Sequence, residues 1–375
     1  MEPNRKENSP AALSTAVPSE ANEYGRYGHE IPRTAIESHP SAVDEGLFSN
    51  PRPQMNSPAR PICSLAIDAE EDFDWDRPVQ NTSYTTEYMR HIGDLREIVC
   101  AYGLRPTYLL TYPVLENSDV VSIIRRQHQR GECDMGIQLH PWVTPPFDET
   151  SGPVSYLGNL DSGVEERKLV NLISKFREAF GVAPVTFRAG RYGLSRSTTS
   201  LLERYEFTVD TSLAPRSDFR LSGGPDFSTY ECNPFWFGRN RMLLELPLCR
   251  SVIGWSGGLA SILYEAAAQP SRAPWHLKSV LSRIRCAERI TLSPEGNDYD
   301  AMRRFLRQRR RQGQSVFSLS FHSSSLWPGR NPYVRTRHDL HVFYDRLSAV
   351  LDYMTNTGVA FATIAEVPAL VGGAP

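Results

Sequence analysis

The run Asp68-Ala69-Glu70-Glu71-Asp72-Phe73-Asp74-Trp75 places five carboxylates within eight residues. Carboxylates this close repel one another unless a cation or protons intervene. Hard divalent metals take carboxylate oxygen, and Zn²⁺ takes carboxylate together with histidine. A solvated acidic loop is the alternative, but the apolar run before Asp68 and the aromatic residues Phe73 and Trp75 weigh against it. Three further clusters carry chemistry. In Gly136-Ile137-Gln138-Leu139-His140-Pro141-Trp142, His140 is either a metal ligand through one ring nitrogen or a histidine bonded to loop backbone. In Phe187-Arg188-Ala189-Gly190-Arg191-Tyr192-Gly193, Arg188 leaves a buried run and needs a carboxylate partner, for which Asp68 is a candidate. The two glycines let that turn approach another backbone closely. In Ser320-Phe321-His322-Ser323-Ser324-Ser325, His322 has the chemistry of a general acid. A serine nucleophile is less attractive, because no G-x-S-x-G elbow exists.

The elements that must position these groups follow from periodicity. Strands are expected at 62–68, 106–112, 134–140, 184–188, 207–210, 242–246, 315–322 and 358–363. Helices are expected at 84–102, 118–130, 164–180, 196–205, 258–268, 299–312 and 334–356. The 164–180 helix should start on a Ser162/Glu165 capping box and end at Gly181. Residues 213–240 and 269–298 show no clean period and read as long, rim-forming loops.

Alternation within the strands decides the architecture. Leu65 and Ile67 oppose Ser64, Ala66 and Asp68; Met135, Ile137 and Leu139 oppose Gly136, Gln138 and His140. Val185 and Phe187 oppose Thr186 and Arg188; Phe317, Leu319 and Phe321 oppose Ser318, Ser320 and His322. A parallel sheet covered on both sides reads apolar on both faces. A barrel instead has helices outside, a confined interior, and catalytic groups at the C-terminal ends of several strands. Asp68, His140, Arg188 and His322 all fall at such ends. The expected fold is therefore α/β, a (β/α) barrel over residues 59–372.

Residues 1–58 are rich in proline, serine and asparagine without a sustained apolar period, and are expected to form a disordered leader that proteolysis trims to near residue 59. The 41 Lys and Arg against 43 Asp and Glu leave a net charge of −2, which argues against a chain that lives by coating nucleic acid or anionic membrane. No run is long and apolar enough for a membrane span, and no signal-like segment opens the sequence, so a cytoplasmic location is expected. The six cysteines stand singly and read as buried free thiols. Arg303, Arg304, Arg307, Arg309, Arg310 and Arg311 crowd one helix, either as a solvated end that suits the macrodipole or as an anion contact. Asp210 either orients His322 or caps a turn, and Glu245 either faces the barrel interior or bonds a neighbouring strand.

As an ordered set, S-L-A-I-D-A-E-E-D-F-D-W, G-I-Q-L-H-P-W-V-T-P-P-F, F-R-A-G-R-Y-G and F-H-S-S-S-L resemble the motifs of polysaccharide deacetylases with a NodB homology domain, specifically the WalW-type branch. The resemblance spans roughly residues 60–370 and includes R-I-T-L-S-P-E-G at 289–296. It implies a distorted (β/α) barrel and metal-assisted hydrolysis of an N-acetyl group on a sugar or cell-surface polysaccharide precursor. Asp68 would be the catalytic base, Arg188 the arginine that orients it, and His322 the general acid. A divalent metal, Zn²⁺ by family habit, would be held by His140 with a carboxylate of the run Glu70, Glu71 and Asp72, the choice among them left open. The usual H-x-x-x-H pair is reduced here to one histidine, and Gln138 on the same strand face is the substitute donor. Two rivals remain: a non-catalytic sugar-binding barrel that has lost a metal ligand, and an amidohydrolase of the same fold acting on a small nitrogenous molecule. Trp142 and Trp327 are candidate sugar-stacking platforms.

Overall fold

The computed structural model describes residues 47–48, 51, 57–73, 84–147, 154–268 and 277–372. The strands are β1 (Ile62–Ala69), β2 (Thr107–Leu110), β3 (Asp134–Leu139), β4 (Thr186–Ala189), β5 (Val209–Asp210), β6 (Phe235–Phe237), β7 (Leu243–Glu245), β8 (Arg250–Ile253), β9 (Glu288–Thr291), β10 (Val316–His322) and β11 (Ala360–Phe361). The α-helices are α1 (Arg96–Ala101), α2 (Tyr112–Glu116), α3 (Ser118–Gln129), α4 (Ser162–Phe180), α5 (Arg196–Arg204), α6 (Ala260–Ala268), α7 (Leu277–Arg283), α8 (Tyr299–Arg311), α9 (Arg337–Asn356) and α10 (Val367–Leu370). The main sheet runs β10-β1-β2-β3-β4-β5-β7-β6, with β11 paired to the start of β1. Its pairs are parallel except β6 against β7. Parallel neighbours need crossover connections, and α1, α3, α4, α5 and α9 lie in them.

The two faces of the sheet divide as the alternation requires. Leu65, Ile67, Met135, Ile137, Leu139, Phe187, Phe317, Leu319 and Phe321 enter the large core shared with the helices. Ile62, Ala66, Leu109, Val209, Leu244 and Val316 form a second, smaller core on the inner face. Ala66 precedes Asp68 by one alternation on that inner face, so the apolar floor gives way to polar groups toward the strand ends. This is the α/β barrel expected, and it is distorted at one seam. The sheet ends at β10 and β6, and the antiparallel β8–β9 pair is a separate ribbon tied to β10 by Ser320 N donating to Leu292 O at 3.2 Å.

Several local expectations are corrected. Residues 213–240 and 269–298 are not continuous loops: the first contains β6, the second α7 and β9. β6 and β9 show no alternation of apolar and polar residues, and α7 is too short to display a helical period. Helix α4 is capped by Asp161, whose side chain accepts from Gly163 N at 2.9 Å, and not by a Ser162/Glu165 box. Glu165 is buried and accepts hydroxyl bonds from Ser195 and Thr198. Gly181 does end the helix in the left-handed region, at φ 75°. Cys100 is exposed while the other cysteines are buried. The expected leader lies largely outside the described residues, but Leu47 and Phe48 within it are buried. Among the described residues no helix is long and apolar enough to cross a membrane.

Candidate active site

Parallel register sets Asp68 directly beside His322 on neighbouring strands. Arg188, from the end of β4, reaches Asp68 Oδ1 through Nη1. Its remaining donors are fixed by Thr211, with Nε on the carbonyl and Nη2 on the hydroxyl, both at 3.0 Å. Arg188 and Asp68 are almost wholly buried, so each supplies the countercharge that the other needs. The other oxygen, Asp68 Oδ2, faces His322 Nε2 at 3.7 Å.

His322 is held from behind by Glu295. Its Nδ1 stands 2.8 Å from Glu295 Oε2, its backbone N donates to Oε1 at 2.9 Å, and Ser325 Oγ donates to the same oxygen. Burial works against a charged imidazole here, but Glu295, with Glu70 and Asp68, outweighs it and raises His322 to about 10. Asp210, which the sequence offered as a partner for His322, instead accepts from Ser212 Oγ and shares its surroundings with Glu245. Burial pushes Asp210 up to about 6 and Glu245 well above the usual carboxylate range.

The acidic run resolves into three different roles. Glu71 Oε1 lies 2.8 Å from His140 Nδ1, and Glu70 Oε2 lies 3.4 Å from His140 Nε2. Burial raises Glu70 to about 8 against the opposing pull of His322 and His140. Its backbone is pinned by Tyr88 OH, which donates to Glu70 O at 2.6 Å, and by Ser323 Oγ, which accepts from Glu70 N at 3.3 Å. Asp72 does not join this group: it takes Thr85 N and Arg330 Nη1, each at 2.6 Å. Asp74 and Trp75 lie outside the described residues. Trp142 is buried and stacked on His140, ring centroids 4.2 Å apart, so it is a wall behind the imidazole and not a sugar platform. Trp327 is partly exposed and stacks on His91 at 3.9 Å.

These donors fall short of a catalytic Zn²⁺ site, which takes three protein ligands. His140 Nδ1 is committed to Glu71, leaving Nε2 and the facing Glu70. Gln138 Oε1 and, one turn beyond His140, Thr144 Oγ1 are buried without a hydrogen-bond partner. Among the described residues, no group of three or more His, Cys, Asp or Glu is placed to hold a metal ion. The residues present do not fit an ordinary catalytic zinc.

No family model and no curated protein matches this chain. Similar solved structures include a putative polysaccharide deacetylase from Mycobacterium smegmatis, 15% identical, TM-score 0.46, covering 84% of this chain and 94% of that one. The chitin deacetylase of the fungal pathogen Colletotrichum lindemuthianum is 14% identical, TM-score 0.37, over 85% and 92%. A GH57-type branching enzyme from the hyperthermophilic archaeon Pyrococcus horikoshii is 10% identical, TM-score 0.46, over 84% and 71%. Likeness this distant leaves the chemistry to be argued from the side chains themselves.

Two contacts escaped the sequence reading. Glu295 follows β9 in a stretch without a period, and only its place in R-I-T-L-S-P-E-G drew notice to it. Glu71 could not be told from its acidic neighbours, because no pattern says which way a loop carboxylate turns.

Proposed function

We propose that this chain is a carbohydrate N-deacetylase of the WalW type that its motifs resemble, hydrolysing an N-acetyl group on a sugar or polysaccharide precursor in the cytoplasm. The observation that carries the reading is the facing of Asp68 and His322 across 3.7 Å, each anchored from behind, by Arg188 and Glu295. A water beside Asp68 attacks the acetamide carbonyl and gives its proton to that carboxylate. The carbon–nitrogen bond then breaks, and His322 supplies the proton that lets the sugar nitrogen leave as an amine. Acetate and the free amino sugar are the products. The resemblance assigns polarisation of the carbonyl to a divalent metal; the incomplete donor set supports no step through one.

That same shortfall favours a second reading, a sugar-binding barrel without turnover. The test is acetate release from N-acetylated oligosaccharides by the whole chain, beside its Asp68→Asn and His322→Gln variants. Release that falls by about a hundredfold or more in both variants supports the enzyme. Saturable sugar binding with no release in the wild-type chain replaces it with the binding module.

A further inference from the structure

The β8–β9 pair, the residues after α7 and one face of α8 form an open cavity of about 540 Å³, lined by residues other than those of the strand-end site. Arg285, Arg303, Arg304, Arg307 and Arg311 line it against one carboxylate, Glu288. Arg304 takes that carboxylate at 2.5 Å, and Arg303 reaches Asp300 at 2.9 Å. Arg285, Arg307 and Arg311 are exposed and enter no ion pair among the described residues. The Nε–H groups of Arg303 and Arg304 are buried and meet no acceptor. Guanidinium groups gathered this densely repel one another until an anion joins them, and their forks suit phosphate oxygens.

The second observation is apolar. Trp255, 72% exposed, lines the same cavity, and its Nε1 donates to Ile284 O at 2.9 Å. Leu259, two residues from the cavity residue Gly257, and Ile284, whose carbonyl takes that bond, are also exposed, as are Ile262 and Leu263 on α6 and Val280 on α7. Exposed apolar residues grouped in this way mark an interaction surface. Against a second copy of the chain, a two-fold contact would set these arginines against themselves. An anionic bilayer offers both halves what they lack: phosphates for the guanidinium groups and an acyl boundary for the apolar side chains.

We propose that this face docks the protein on an anionic phospholipid surface, with lipid phosphate in the arginine-lined cavity and the α6–α7 side chains entering the interface. The proposal is independent of the catalytic reading. The full chain is sedimented with phosphatidylcholine vesicles, with and without about one-third phosphatidylglycerol. Two double variants, Arg307→Glu with Arg311→Glu and Trp255→Ser with Ile262→Ser, are run beside it after circular dichroism has shown them folded. The expected result is binding only to the anionic vesicles, weakened about tenfold or more in each variant and by added salt. Binding indifferent to lipid charge, or unchanged in either folded variant, overturns the proposal. So does uptake of inorganic phosphate through these arginines without vesicle binding, or a solution dimer that Trp255→Ser with Ile262→Ser dissolves.

Discussion

His322 owes its charge to a contest between burial and the carboxylates around it, and the carboxylates prevail. Its pKa is raised from 6.5 to about 10, so the stability it contributes is fully present below about pH 6.5 and is lost as pH climbs through 10. Glu295 is the largest of the raising contacts. Glu295→Gln is therefore expected to move the alkaline limb of kcat/KM toward neutral pH and to lower kcat by about tenfold to a hundredfold, read from a pH–rate profile. An unmoved limb would show that Glu295 does not set this acid. The metal question also belongs to this scale. With His140 Nε2 and Glu70 as the two facing donors, added Zn²⁺ should bind weakly and leave readily to a chelator. Gln138→His, at a buried position whose amide oxygen has no partner, should tighten binding by about tenfold or more in competition with a chromophoric chelator. Unchanged affinity in that variant and in His140→Ala would remove both residues from any metal site.

Elements convert these side chains into a site, and what the sequence disclosed about them depended on alternation. Strands of four to eight residues with one apolar face declared themselves, so Asp68, Arg188, His140 and His322 could be placed at strand ends before any coordinates. The strands β8 and β9 are as long as β4 but lack a clean apolar face, and left no such mark. Roles within the acidic run were hidden for another reason: Asp72 is turned by Thr85 and Arg330, and the latter lies 258 residues away. Long-range partners of that kind leave no local pattern. The turn after β4 was legible in principle, and its consequence is sharp. A Cβ on Gly190 would stand 2.6 Å from His140 Cδ2 and 2.7 Å from Leu139 O. Gly190→Ala must therefore displace the imidazole or the turn, at a cost of about 1–3 kcal/mol. It should depress turnover well beyond that loss of stability, and the His140 ring resonances in an NMR spectrum should shift. Native turnover in a folded Gly190→Ala protein would mean that His140 has room to spare and is not held for function.

At the scale of the whole molecule, the curled sheet leaves β6 at its end, paired only to β7 among the described residues. An unpaired strand edge invites association with other chains unless something covers it. Leu47 and Phe48 pack on the face of β6 that carries Phe235 and Phe237. Phe48 meets Phe235 and Phe237 of β6 edge-on at 5.1 Å each, and Tyr230 at 5.7 Å. Thr199 Oγ1, on α5, donates to Leu47 O at 2.6 Å and so ties this short segment to the barrel wall. Leu47 and Phe48 are buried although they precede the boundary expected near residue 59, since composition reports the average of a segment and not the two apolar residues it delivers. Removing residues 1–45 should leave thermal unfolding unchanged, whereas removing residues 1–58 should strip these two side chains from that face of β6. The larger deletion should cost about 3 kcal/mol or more, as Phe48→Ala alone would by emptying a buried aromatic site. Calorimetry of the two deletions, with light scattering to detect association along β6, checks this. Equal unfolding temperatures and equal monodispersity in both would mean that Leu47 and Phe48 rest on the barrel without stabilising it.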